Sequence, residues 1–310
     1  MKTGLFIFLL IIIHNNAFSQ KELVVSHSKG IVEEYEVIKN GKNEIKDGSY
    51  IKYRNNVFGL QLLKSGSFRE DFKTGHWKYY FEVGFGKAKN TLKEEGTYVF
   101  GKKQGVWRTY YPDSANDIVE KRNFTSKNKI DSIEIKVQNN FSKIRSQGLY
   151  LNSKKSSIWN YFNNEGELVQ QYDHSKDSLI MDINFKIKDE VLDHPALFIG
   201  GDEQLNFYFL TGFNFGYLKD KIKIGKASVV ITFKVTEDRK IKTIVSEESN
   251  VSKAIIKSLI KQISESEKQW LAAVKNGHRS NDQVWLKCTF DRVKEDNLTK
   301  FLIHFKQIHK

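Results

Sequence analysis

The chain has 310 residues, 39% of them hydrophobic, 13% aromatic and 28% charged, which is enough apolar mass for two packed domains and too much for a disordered chain. Two prolines against 20 glycines exclude collagen-like and proline-rich architectures, and the single cysteine, Cys288, excludes an internal disulfide framework or a cysteine-based zinc site. Fifty basic against 37 acidic residues give a net charge of +13; the excess is spread without a run of five basic residues, so it reads first as composition and second as an anion-attracting surface, with nucleic acid not among the expected partners.

The amino terminus reads as a targeting segment. Lys2 precedes an unbroken apolar run from Leu5 to Ile13, and Ala17 and Ser19 place small residues three and one before Gln20. That is the pattern of a secretory signal peptide over residues 1–19. The run is too short for the roughly 20 residues that span a bilayer, so a retained anchor is the lesser reading. The expected mature chain is periplasmic or secreted and has no transmembrane span.

From residue 20 to 175 one frame repeats. Gly66-x-Phe68 is followed by Gly75-x-Trp77-x-x-Tyr80, Gly96-x-Tyr98 by Gly105-x-Trp107-x-x-Tyr110, and Gly148-x-Tyr150 by Ser157-x-Trp159-x-x-Phe162. A shorter copy opens at Gly48-Ser49-Tyr50, after a hairpin signal at Asn40-Gly41. Each frame predicts a β-hairpin, with a polar turn such as Lys102-Lys103-Gln104-Gly105 between its strands. A lone hairpin cannot cover its aromatics, so the copies should stack into an antiparallel array. Trp77, Trp107 and Trp159 are either its core, the favoured reading, or a ligand-stacking row.

Gly66, Trp77 and Tyr80, with Gly96, Trp107 and Tyr110 and with Gly148, Trp159 and Phe162, resemble the MORN-like repeats of the YwqK-type antitoxin family. The resemblance implies a β-hairpin repeat scaffold. The chain departs from the family pattern at Ser157 and in an insertion near residues 112–147, which carries the basic segment Lys121–Lys129.

After a linker over 176–194, a second unit is expected over 195–290. Pro195 to Gly201 enter a helix bearing Leu205, Tyr208, Phe209 and Phe213. Lys226–Val235 alternates as a half-buried strand with Val229, Ile231, Phe233 and Val235 on one face, and Ile241–Val245 is a second strand. Ser252–Gln269 is an amphipathic helix with a stripe of Ile255, Ile256, Leu259, Ile260 and Ile263. The closing strand turns Val284, Leu286, Cys288 and Phe290 inward, Cys288 as a small buried hydrophobe. The expected fold class is therefore mainly β plus α+β: a hairpin array, then two helices on a three-stranded antiparallel sheet.

Pro195, Gly200, Gly201, Phe233, Trp270, Asn276 and Gly277, in this order and spacing, resemble the TonB carboxy-terminal domain. Tyr217-Leu218 stands where that family has Tyr-Pro, and no proline follows Trp270. The resemblance implies a module that grips an extended segment of an envelope protein by adding strands at a sheet edge. That edge is expected near Lys226–Val235 or Gln283–Phe290. Gly200 and Gly201 read as a turn in preference to a ligand cradle.

Residues 291–310 read as an amphipathic helical tail, with Leu298, Phe301, Leu302, Phe305 and Ile308 at helical spacing after Asp296-Asn297. Its two readings are a helix folded on its own domain and a basic tail for a membrane surface or partner.

No catalytic motif is visible, and His76, His174 and His194 lack partners at metal spacing. No catalytic residue, metal or cofactor is expected. The sequence thus points to a non-enzymatic envelope binding protein recognising an envelope protein or extended peptide. The alternative is a binder of a cell-wall polymer, or an inhibitor, using the aromatic repeats.

Overall fold

The computed structural model describes residues 21–40, 43–56, 59–82, 90–112, 118–124, 130–137, 143–185, 193–212, 225–247, 249–295 and 298–308. The expected leader, Gly41 of the first hairpin signal, Phe213, Tyr217-Leu218 and Asp296-Asn297 lie outside them.

The amino-terminal half is a meander of antiparallel strands, as the hairpin frame requires. Its strands are β1 (Lys21–Ser28), β2 (Ile31–Asn40), β3 (Asn43–Asn56), β4 (Gly59–Arg69), β5 (Phe72–Tyr80), β6 (Leu92–Val99) and β7 (Lys102–Tyr110). The insertion forms a separate hairpin, β8 (Ile118–Phe124) with β9 (Ile130–Val137). The meander resumes with β10 (Ile144–Leu151), β11 (Lys154–Phe162), β12 (Leu168–Asp173) and β13 (Ser178–Asp182), giving eleven strands in one sheet. The array thus runs to Asp182, past the expected boundary at 175, because β13 pairs with β12.

The repeats turn two residues earlier than the sequence suggests. Glu70-Asp71, Phe100-Gly101 and Asn152-Ser153 form two-residue hairpin turns with φ between 46° and 73°, the left-handed geometry that matches strand twist. The expected turn at Lys102–Gly105 instead lies inside β7. Gly75, Gly105 and Ser157 occupy equivalent positions with φ of 64°, 70° and 56°, each beside a register shift against the preceding strand. The second glycine of the frame therefore forms a β-bulge.

The glycine–tryptophan pairing has a steric cause. A Cβ at Gly66, Gly96 or Gly148 would overlap the indole of Trp77, Trp107 or Trp159, respectively. Each indole lies flat over the glycine of the preceding strand, and Trp77 and Trp107 also stand directly opposite Gly96 and Gly148 of the next. Each Nε1 donates to the carbonyl ten residues earlier, Ser67, Thr97 and Leu149, at 3.0–3.1 Å. Phe68, Tyr98 and Tyr150 meet these rings edge-on at 5.2 Å. Lys73, Lys103 and Lys155 cover the outer faces at 4.7, 4.0 and 4.2 Å. The three tryptophans are consequently 0%, 0% and 1% exposed.

The second unit begins with β14 (Leu197–Phe198) and α1 (Gly201–Gly212), followed by β15 (Gly225–Val235), β16 (Ile241–Ser246) and α2 (Lys253–Ser264). A 3-10 turn at Glu267–Gln269 leads to β17 (Trp270–Leu271), β18 (Ala273–Lys275), β19 (His278–Ser280), β20 (Asp282–Glu295) and β21 (Leu298–Ile308). Val229, Ile231 and Phe233 stand opposite Cys288, Leu286 and Val284, and all are buried with Leu205 and Phe209 of α1 and Ile255, Leu259 and Ile263 of α2. Gln262 of α2 donates to the carbonyls of Tyr208 and Phe209, capping the end of α1.

The tail is a strand, where a helix was expected, and the sheet consequently has four strands in the order β16-β15-β20-β21. β20 is 14 residues long and runs beyond Phe290, leaving a ladder edge that β21 satisfies from Trp285↔Ile308 to Glu295↔Leu298. The apolar spacing that suits a helix also accommodates a period of two: Phe305 and Gln307 are buried, and His304 and Lys306 are exposed.

The two halves are packed against each other. Ile199 and Leu271 join Trp159, Tyr161 and Tyr172 in one apolar cluster. Arg239 donates to the carbonyls of Trp270 and Lys268 at 2.7 Å each, to the Tyr172 hydroxyl at 3.2 Å and to the Asp177 carboxylate. Arg279 reaches the same carboxylate at 2.7 Å.

Candidate functional site

The strands named as candidate open edges, β15 and β20, are both interior. The edges are β16 and β21. The outer side of β21 is partly closed by α1, where the Phe305 N–H donates to the Asn206 side chain at 2.7 Å. On β16 the Ile241 N–H donates to Glu267 at 3.2 Å, and beyond it Lys242, Thr243 and Val245 are exposed, Val245 at 56%. Beside the end of β16, Ser246 and Val251 border a groove of about 930 Å³ against α2, where Ile256 and Ile260 are half-buried and Lys253 and Lys257 stand exposed. A backbone edge next to an apolar trough is the geometry for holding an extended segment.

A second concavity, about 440 Å³, lies at the junction of the halves. Lys155, Tyr161, Tyr172 and His174 form its array wall, Arg145 and Gln204 one flank, and Phe207 and Tyr208 of α1 another. The Lys155 ammonium donates to the Tyr161 hydroxyl at 3.3 Å, which contacts His174 Nε2 at 2.9 Å. The Arg145 guanidinium lies 3.8 Å over the Phe207 ring and donates to Gln204, while its buried Nε has no partner. Burial, followed by the nearby Arg145 charge, holds Lys155 down to about 8, and burial lowers Arg145 to about 10. Burial, reinforced by Lys155 and Arg239, depresses His174 to about 4, so its ring is neutral at pH 7.

The repeat-defining residues divide between two faces. Trp77 and Tyr79 share one face, as do Trp159 and Tyr161, and each pair is in ring contact. Tyr80 instead packs with Tyr53 and Leu62. The buried Tyr110 donates to Glu95 at 2.5 Å, and Phe162 offers its carbonyl to the Tyr111 hydroxyl at 2.6 Å. The sequence frame therefore missed Tyr79 and Tyr161, although strand alternation two residues after each tryptophan marks them. It also missed the lysine four residues before each tryptophan.

The second set of predicted residues serves junctions and turns. Gly200, at φ 94°, donates its N–H to Gln170 at 2.5 Å, and a Cβ there would meet Gln204 and Tyr161. It seats the second unit on the array. Gly201, at φ 73°, opens α1, and the Pro195 carbonyl faces His194 Nδ1 at 2.7 Å. Phe233 and Trp270 are fully buried in ring contact at 5.0 Å. Asn276 and Gly277 form the left-handed turn between β18 and β19, and both N–H groups donate to Asp193. His76 pairs with Glu95 at 3.1 Å, and Cys288 is buried. Among the described residues no helix is long and apolar enough to cross a membrane. No protein-family model, no curated protein and no solved structure matches this chain.

Proposed function

We propose that this chain is a non-enzymatic binding protein of the bacterial envelope, exported by the segment over residues 1–19, whose second unit grips an extended segment of an envelope protein by strand addition at β16. The observation that carries this reading is the position of β16 at the end of its sheet, beside the groove floored by Ile256 and Ile260. Main-chain ladder bonds would supply affinity, and the apolar floor with Lys253 and Lys257 at its rim would select apolar side chains flanked by acidic ones. The resemblance of Pro195, Gly200, Gly201, Phe233, Trp270, Asn276 and Gly277 to the TonB carboxy-terminal domain supports the same mode. The alternative, glycan stacking on the aromatic repeats, lacks an exposed indole row, since Trp77, Trp107 and Trp159 are covered by lysines.

Hydrogen exchange of residues 20–310, with and without envelope proteins captured on the immobilised chain, tests the proposal. Slowed amide exchange confined to Lys242–Ser246 and the Ile256–Ile260 stretch is expected on binding. Protection elsewhere, or capture that persists unchanged in Ser246→Pro, whose N–H faces away from β15 while that of the next residue, Glu247, donates to Val230, contradicts it.

A further inference from the structure

Positive charge outnumbers negative at the junction cavity, where Arg145, Lys155, Arg239 and Lys268 line the walls. Among the described residues the carboxylate lining it is Asp177, which Arg239 and Arg279 share; Glu94 acts on Arg145 and Lys155 through its field and is paired with Lys103. Among the described residues no carboxylate lies within ion-pair distance of Lys155 or Arg145. Burying two like charges at one cavity is unfavourable by both desolvation and mutual repulsion. Ordinarily such groups would turn to solvent. Here the Lys155 ammonium is held over the Trp159 ring and the Arg145 guanidinium over Phe207, so both heads stay at the cavity. The Arg145 Nε is a buried donor left without an acceptor, and it stands with the Lys155 ammonium against an aromatic wall of Tyr161, Phe207 and Tyr208. Each of these features is relieved by the same thing, an anionic group accepting hydrogen bonds from both cations.

We infer that the cavity between the two halves is a binding site for a compact anionic ligand, whose carboxylate or phosphate group sits between the Lys155 ammonium and the Arg145 guanidinium with its apolar part against Phe207 and Tyr208. The volume suits a small molecule. The site shares no residue with the β16 edge, so the two proposals stand or fall separately.

Titration calorimetry and thermal melting of residues 20–310 with inorganic phosphate, D-glucuronate and D-glucose in low-chloride buffer test it. At least one of the two anions should bind about tenfold or more tightly than glucose, and which of them does so distinguishes a phosphorylated from a carboxylate ligand. Lys155→Met and Arg145→Met should each weaken that binding about tenfold, and Lys155→Arg should retain it. Lys155→Met leaves an unbranched apolar chain to cover Trp159, and far-UV circular dichroism identifies any variant that does not fold; the remaining variant then carries the test. Equal binding of all three probes, or anion binding unchanged in the folded Met variants, overturns the assignment.

Discussion

The array and the α+β unit bury their cores by opposite means. In the array, the contacts that hide an indole come from three places close in the repeat: a glycine eleven residues before it, an aromatic nine before it and a lysine four before it, as in Gly96, Tyr98, Lys103 and Trp107. In the α+β unit, Phe305 of the last strand packs with Phe209 of the first helix and Phe290 of the neighbouring strand, and no short frame encodes the contact. The first kind of core is written as a motif. The second is written only as alternation, and its edges are decided by whatever strand arrives last.

The sharpest way to break this comparison is to fill the space the motif keeps empty. Gly96→Ala places a Cβ inside the Trp107 ring and should cost about 3 kcal/mol in denaturant unfolding, whereas alanine at Gly59, which has open space around it but φ 113°, should cost only its backbone strain. Equal losses would show that the glycine–indole contact is not what holds the array. Next in size is the seam. The packed halves are expected to unfold in one transition; Arg239→Met removes donors to Trp270, Lys268, Tyr172 and Asp177 together, and should destabilise by about 2 kcal/mol and split that transition into two. A transition that stays single at an unchanged midpoint would show that the halves hold together without it.

The smallest effect is a gain. Ser157 occupies the bulge position at φ 56°, where the other repeats have Gly75 and Gly105. Ser157→Gly should stabilise by about 0.5–1 kcal/mol, read as a shift of the denaturation midpoint without change in slope.

Much of this architecture was legible because burial in a repeat is local. Three tryptophans in register located the array, and the alternation of Val229, Ile231, Phe233 and Val235 against Val284, Leu286 and Cys288 located the central strand pair. The tail was misread because Leu298, Phe301, Leu302, Phe305 and Ile308 fit a helix when taken alone; only the unpaired length of β20 decides for a strand, and that length is a tertiary fact. The same error misplaced one of the two expected edges, since adding β21 turns β20 into an interior strand; β15 is interior because β16 and β20 flank it. The junction cavity was not legible at all. Lys155, Arg145 and the wall of Tyr161, Tyr172 and His174 come from the array, and the facing wall comes from residues beyond 195, a juxtaposition that no spacing in either half foreshadows.

A stack of repeats must stop somewhere, and its final ring needs a lid. Here Gly200, pressed against Tyr161 and bonded to Gln170, makes a differently folded neighbour serve as that lid. The number of repeats is thereby fixed at one end: an extra hairpin inserted after Phe162 would have to reproduce Gln170, Tyr172 and Asp177 in the same places, or leave the neighbour with nothing to sit on.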